Sequence, residues 1–478
     1  MKILFIEPPR EFWFVMGEYL PPPFGIIQLA AYLEREVEDT EIEVLDCTTQ
    51  QTGWSEIGRK IESFNPDIVA ASAFAACNVY LVLRTFEIAK RVNHETLTVT
   101  GGQYFTATAQ ESLRKYPEID VIVRGEGEET LTELVKNAAR KSQFPNIRGL
   151  SFQHNGKIIH NESRPLIKDL NSLPYPGYHF VQDLVHKYHF AAMAGRHAPY
   201  VLIEGARGCS HKCTFCTQWR HWGEVWRLKK PERIADEIEF CYNNYDSRFI
   251  WLTDDDFGPG NRANELADEL IKRELGDDLM LFLQWRCDDI IRNEEVLPKL
   301  RRAGLYWVMM GVESPRDSTL ESYRKGIAAE QAVKAVRLLK KHDIFSHAMF
   351  VIGDRKDTSE SIEQSREFAN ELDPDFAIFT ALTPFPGTEI YEEGKRNGWI
   401  EDSNLSHYDM AHAIMPTETL SRMEVQEELY NCYRSFYGSW RRRIGGVFSN
   451  NKLKRRLYRH MVGQGVIRQF RNLIQLKV

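Results

Sequence analysis

Short apolar runs alternate with amphipathic helical stretches in two long series, and a proline-rich connector divides them. In the first series, strands are expected at Lys2–Glu7, Glu41–Asp46, Asp67–Ser72, Thr96–Thr100 and Val121–Arg124. Helices are expected between and after them, at Phe24–Glu36, Ser55–Phe64, Tyr80–Val92, Thr106–Lys115 and Glu128–Arg140. Strand–helix alternation of this kind calls for parallel sheets covered on both faces. An α/β fold follows for residues 1–144, doubly wound in the flavodoxin or Rossmann manner. Such sheets bind ligands beyond the C-terminal strand ends, where the strand order reverses. The loops expected there are small or polar: Pro8-Pro9, Ser72-Ala73-Phe74, Gly101-Gly102-Gln103 and Arg124-Gly125-Glu126.

Residues 145–197 break the pattern. Gly149–Gln153 and Lys157–Asn161 flank the turn Asn155-Gly156 and read as a β-hairpin. Leu173-Pro174-Tyr175-Pro176-Gly177 follows, so this stretch is taken as a linker. The second series occupies 198–395, with strands at Tyr200–Glu204, Phe249–Thr253, Met280–Trp285, Tyr306–Met310, Ser346–Ile352 and Phe376–Leu382. Helical stretches such as Pro231–Tyr245 and Ala328–His342 separate them. Six units make a partial (β/α)6 barrel, in which chemistry belongs to the C-terminal strand ends. Residues 396–478 complete the chain as a helical, basic extension. From Arg441 onward it has eleven Lys or Arg and no acid, with aromatic residues interleaved.

Immediately after the first barrel strand comes GARGCSHKCTFCTQW, with Cys209, Cys213 and Cys216. Thiolates are the usual ligands of iron–sulfur clusters, and three of them leave one iron of a cubane open. Structural zinc usually pairs CxxC with a second, distant pair, and no second pair is present here. The remaining cysteines, at 47, 77, 241, 287 and 432, share no spacing and read as core residues of a reducing cytoplasm. The opening MKILFIEPPREFW has too short an apolar run for a signal peptide. No stretch approaches about 20 uninterrupted apolar residues, so no transmembrane segment is expected. A net charge of −7 carries no overall nucleic-acid signature.

The CxxxCxxC spacing, with Phe215 before the last cysteine, resembles the signature loop of the radical S-adenosylmethionine superfamily. That resemblance implies a [4Fe-4S] cluster on Cys209, Cys213 and Cys216, and S-adenosylmethionine cleaved there to a 5′-deoxyadenosyl radical. It also implies roles for residues at the later strand ends. Asp254 and Asp255 would hold the methionyl amino group, although an aspartate there also suits a helix N-cap. Gln284 and Arg286 would meet the methionyl carboxylate, since a guanidinium grips a carboxylate with two parallel bonds. Gly311-Val312-Glu313-Ser314 resembles the fourth-strand motif near methionine and ribose.

The first domain, with PPPFGIIQLAAYLE and VIVRGEGEETLTELV, resembles that of the cobalamin-binding radical S-adenosylmethionine subfamily. Pro8, Pro9, Ser72, Phe74, Gly101, Gly102, Gln103, Arg124, Gly125 and Glu126 are then candidate corrinoid contacts. Asp46-Cys47-Thr48-Thr49 stands where a DxHxxG motif would supply a histidine to cobalt, implying a lower cobalt face without one. The segment CTFCTQWRHWGEVWRLKKPERIADEIE is most similar to anaerobic magnesium-protoporphyrin monomethyl ester oxidative cyclases. Other relatives transfer methyl groups to carbon or phosphorus, and C-methylation is the expected reaction, with oxidative cyclisation as the alternative. A radical tRNA-modifying enzyme is a third reading, disfavoured because no extra N-terminal cysteine triplet is present. Expected partners are an organic or peptide substrate and an electron donor of flavodoxin or ferredoxin type. The basic tail reads either as a solvated face packed on the barrel or as a contact for an anionic membrane surface.

Overall fold

The computed structural model describes residues 1–10, 19–73, 75–190 and 199–464. Five parallel strands open the first domain: β1 (Lys2–Glu7), β2 (Glu41–Asp46), β3 (Ile68–Ala70), β4 (Leu97–Thr100) and β5 (Val121–Val123). Their order in the sheet is β2-β1-β3-β4-β5, so the winding reverses between β1 and β3. Alternate residues of β1 serve opposite faces. Ile3 and Phe5 pack beneath helices α1 (Phe24–Glu36) and, later in the chain, Gly127–Asn137. Leu4 and Ile6 pack beneath α2 (Trp54–Phe64) and α3 (Val79–Val92). Cover on both faces explains the near-continuous apolar runs of these strands.

Two sequence expectations change here. The hairpin placed in the 145–197 linker instead extends the first sheet as β6 (Leu150–His154) and β7 (Lys157–His160). β6 pairs antiparallel with β5, setting Val121 opposite Phe152 and Val123 opposite Leu150. An open edge at β5 would leave backbone groups unpaired, and the hairpin covers it. The helix expected over Thr106–Lys115 is two short helices, α4 (Gly102–Ala107) and α5 (Ala109–Lys115), and the helix Gly127–Asn137 is α6. They break at Thr108, whose hydroxyl donates to the carbonyl of Tyr104, a local bond that competes with helix continuation.

The second domain is one six-stranded parallel sheet. Its strands are β8 (Tyr200–Ile203), β9 (Phe249–Leu252), β10 (Met280–Gln284), β11 (Leu305–Glu313), β12 (Phe345–Ile352) and β13 (Phe376–Ala381). They lie in chain order, and the ladder does not close, which leaves β8 and β13 as edges. Aromatic rings fill the N-terminal end of this partial barrel. Phe282 stacks on Trp307 at 4.0 Å, and Trp307 on His347 at 5.7 Å between ring centres.

Tyrosines satisfy both open edges. On β13, the Tyr437 hydroxyl accepts from the amide of Ala377 and donates to its carbonyl; Tyr433 does the same for Phe379. Both sit on α11 (Arg422–Gly438), counting α7 (Pro231–Tyr245), α8 (Arg262–Lys272), α9 (Ala329–Lys341) and α10 (Ser359–Leu372) before it. On β8, Tyr178 of the connector bonds the amide and carbonyl of Leu202 at 2.7 and 2.8 Å. Among the described residues, no helix is long and apolar enough to cross a membrane.

Candidate active site

The cysteine loop leaves β8 under tight backbone control. Asp254, following β9 and fully buried, accepts from the amides of Gly205 and Ala206 at 2.6 and 2.7 Å, and from Arg262 at 2.8 Å. It anchors the root of the loop and does not line the cavity beyond. Gly208 has φ +91, and a Cβ there would meet the Val225 carbonyl oxygen at 2.1 Å. Only glycine makes that turn.

Past it, Cys213 is buried while Cys209 and Cys216 are partly exposed. Burial pushes the Cys209 and Cys216 thiols up to about 12, and nearby carboxylates and the other thiols add to the rise. A set of neutral, neighbouring soft donors fits a group that brings its own positive charge. Among the described residues, no three His, Cys, Asp or Glu side chains converge on one point as a single zinc demands. A cubane instead takes one thiolate at each of three separate corners. The Trp219 indole donates to the Cys213 carbonyl at 2.9 Å, and Phe215 meets Tyr323 edge-on at 5.0 Å.

Beside the loop, a cavity of about 240 Å³ opens at the C-terminal ends of the barrel strands. Phe215 walls it, and Asp255, Asp256, Gln284, Arg286 and Glu313 bring polar groups from three successive strand ends. Burial, then Asp254 alongside, push the Asp255 carboxyl up to about 8, while the Trp222 indole donates to it at 3.1 Å. Burial and Asp289 push Asp256 to about 6. Glu313 ends β11 in the left-handed region at φ +61 and accepts from the Lys325 ammonium at 2.7 Å. Gly311 makes room for that pair, since a Cβ would lie 2.2 Å from the Glu313 carboxylate. Arg286 is held by Asp288 at 3.0 Å and donates to the Lys325 carbonyl at 2.8 Å. Acids and cations facing one small volume suit a ligand that carries both an amino group and a carboxylate. Ser314 is buried beside this site, where its hydroxyl accepts from the Arg316 amide, and it does not line the cavity.

The first domain presents its strand ends to the same loop. Gly102, at φ +83, leaves a gap that a Cβ would close against the Ser72 hydroxyl at 2.8 Å, and Ser72 donates to the Gly101 carbonyl. Gly125 also has a positive φ of 71, with open space where a side chain would stand. Glycine at 102 and 125 lets the backbone take these positive φ values, and a ligand could approach it closely there. Gln103 crosses to the cysteine loop, accepting from the Thr217 hydroxyl at 2.9 Å and donating to the Gln218 side chain. Pro8 accepts from the Thr48 hydroxyl, and Pro9 is half-buried beside it. Arg124 turns instead to the Asn161 carbonyl on the hairpin side. Glu126 turns to Arg207 and Arg227, at 2.7 and 2.9 Å. Phe74 lies outside the described residues.

Two family models match the chain: the radical SAM superfamily over residues 203–369 and the B12 binding domain over 16–135. An uncharacterised methyltransferase of Pyrococcus horikoshii is 31% identical, over 91% of this chain and 92% of its own. The chain belongs to the B12-binding radical SAM enzymes. The anaerobic magnesium-protoporphyrin IX monomethyl ester cyclase of Rubrivivax gelatinosus is likewise 31% identical, over 91% of this chain and 77% of its own. The radical S-adenosylmethionine methyltransferase TsrM of Kitasatospora setae, solved with cobalamin and a [4Fe-4S] cluster, shares the fold. Its TM-score is 0.72 at 16% identity, with 99% of each chain covered. The cofactors of this family are the [4Fe-4S] cluster, S-adenosylmethionine and cobalamin.

Some working residues of this B12-binding radical SAM chain escaped sequence reasoning. Lys325 carries no motif, yet it pairs with Glu313; burial opposes its charge and Glu313 more than offsets that. Arg207 and Arg227 carry no motif either; they join Glu126, expected as a corrinoid contact, and Glu128 in a buried cluster between the two domains, with Arg207 2.6 Å from Glu128. The local hint was the three glutamates in GEGEE and an arginine two residues before Cys209.

Proposed function

We propose that this chain methylates a carbon of an organic substrate in a cobalamin-dependent radical reaction. One observation carries the reading. Gln103, at a strand-end loop of the B12-binding domain, hydrogen-bonds the residues that follow Cys216, so that loop and the cysteine loop are in direct contact. When bound, the cluster with S-adenosylmethionine supplies a 5′-deoxyadenosyl radical, and cobalamin supplies a transferable methyl group. The chain's own work is to bind, orient and exclude water. Cys209, Cys213 and Cys216 would hold the cluster, and three thiolates would leave it open to the amino acid end of S-adenosylmethionine. Asp255 and Glu313 would accept from its ammonium, while Arg286 and Gln284 would donate to its carboxylate. Phe215, backed by Tyr323, would shield the reacting carbon from water. Ser72, Gly101 and Gly102 give the corrinoid room for close backbone approach.

Electrons come from a flavodoxin- or ferredoxin-type donor in a reducing cytoplasm, in keeping with eight cysteines that are all free thiols. The likeness to the Rubrivivax gelatinosus cyclase, over nine-tenths of this chain, supports oxidative cyclisation as a second reading. Isotope labelling separates the two. Anaerobic cells carrying the intact gene and fed methyl-deuterated methionine should accumulate a product bearing a CD3 group, absent when Cys213 is replaced by Ala. A gene-dependent product that has lost hydrogen and carries no deuterium would sink methylation and leave the cyclase.

A further inference from the structure

Among the described residues the last three helices are α11, α12 (Trp440–Val447) and α13 (Lys452–Gln464), and the middle one carries a surface that the active site does not use. Trp440, Ile444 and Phe448 follow at four-residue steps, which places them on one face of the helix. They are 74%, 58% and 74% exposed. The opposite face is already taken: Gly446 lies against the Tyr458 ring, where a Cβ would come within 2.2 Å, and Arg442 pairs with Asp373. The apolar stripe therefore points away from the body of the protein. A helix resting on a core and facing only water shows the reverse pattern.

The surroundings of the stripe are cationic. Residues 441–464 include Arg441, Arg442, Arg443, Lys452, Lys454, Arg455, Arg456 and Arg459 and no acid, in a chain whose net charge is −7. Arg441, Lys452, Arg456 and Arg459 are exposed, and Arg443 lies over the Trp440 ring at 5.6 Å. We propose that α12 and its basic collar seat this protein on the surface of an anionic lipid bilayer. Trp440, Ile444 and Phe448 enter the boundary between headgroups and acyl chains, and the collar meets lipid phosphates.

Each part of the surface suits that partner. Tryptophan and phenylalanine favour the membrane interface, and Lys and Arg are drawn to anionic leaflets. A nucleic acid would use rings for base stacking, and Ile444 at the centre of the stripe has no π-face. A second copy docking here about a two-fold axis would bring its own cationic collar against this one, which like charges oppose. The helix lies on the bilayer without crossing it.

The test uses the full chain and vesicles of phosphatidylcholine, alone or mixed with phosphatidylglycerol. The protein should sediment with the mixed vesicles at low salt, remain free of the neutral ones, and come off as ionic strength rises. The triple variant Trp440→Ser, Ile444→Ser, Phe448→Ser should bind the mixed vesicles at least about tenfold more weakly. Its circular dichroism and its rate of S-adenosylmethionine cleavage should match the parent, which shows that the fold survives. Four results would overturn the proposal: no sedimentation with anionic vesicles, equal sedimentation of the triple variant, a dimer that the triple variant dissociates, or tighter binding to single-stranded RNA than to vesicles.

Discussion

His347 sits on β12, fully buried, stacked on Trp307 and edge-on to Phe376, and neither ring nitrogen has a hydrogen-bond partner among the described residues. Burial holds its pKa down from 6.5 to about 3. Between those values the unfolded chain binds a proton that the folded chain refuses, so stability falls as pH drops through that window. A His347→Phe variant keeps the ring stack and removes the proton. Its melting temperature should fall less than the parent's between about pH 7 and about pH 5, and equal slopes would discard this account. Glu313 is held in a backbone conformation that costs of order 1–3 kcal/mol outside glycine. The ion pair with Lys325 and the cavity wall are what that strain maintains. Glu313→Gln removes the charge and keeps the shape. Calorimetry on cluster-loaded protein should show S-adenosylmethionine binding weakened roughly 10- to 100-fold, about 1.4–3 kcal/mol, at unchanged iron content. Unchanged affinity would remove Glu313 from the binding wall.

At the scale of elements, an open six-stranded barrel has two edges, and each is finished by tyrosine hydroxyls rather than by another strand. Tyr437 serves Ala377 from α11, and Tyr178 serves Leu202 from the connector. Each hydroxyl both accepts from an amide and donates to a carbonyl of one buried residue. Losing it orphans two backbone groups, at a cost of about 1–3 kcal/mol. Tyr437→Phe and Tyr178→Phe should each lower the urea midpoint by that equivalent without changing the slope. A midpoint shift within error for both would show the edges solvated rather than capped. These contacts also mark where sequence reading ends. Strand–helix alternation is a local signal, so the strands of both sheets and the helix over Phe24–Glu36 were legible, as was the cysteine triplet. The hairpin was legible as a hairpin and misplaced as linker, because only its partner β5 defines its role. Asp254 was read as a ligand or a helix N-cap and instead anchors the loop, its backbone partners lying 48 and 49 residues away. Lys325 and the edge tyrosines likewise work through distant partners, and no periodicity encodes those.

For the whole molecule, the two domains meet through charge rather than apolar surface alone. Arg207 is buried between Glu126, Glu128 and Glu204, and Arg227 shares Glu126. Burial on its own would raise the Glu128 carboxyl, and Arg207 overrides it and holds the pKa low. Because Arg207 stands two residues before Cys209, this cluster fixes the B12-binding domain against the very loop that carries the thiols. Gln103 adds a second tie on the far side of the loop, next to Cys216. The strand-end loops of the B12-binding domain are thus tied to the cysteine loop on both of its sides. Glu126→Ala tests this directly. It leaves two guanidiniums buried with one carboxylate fewer, a loss of about 3–5 kcal/mol when a buried pair is broken. The loss falls on the docking contact, where the charged cluster works beside apolar contacts that the domains share through Ile27 in the barrel core and through Ala76 in a cluster with Tyr323, Leu382 and Tyr408. Scattering should report a larger radius of gyration, and limited proteolysis should cut within the connector. Iron content per chain should stay at the parental level. Glu126→Gln, which keeps the shape and part of the hydrogen bonding, should fall between the two. A compact, protease-resistant Glu126→Ala protein would mean that the Gln103 tie and the apolar contacts hold the domains by themselves.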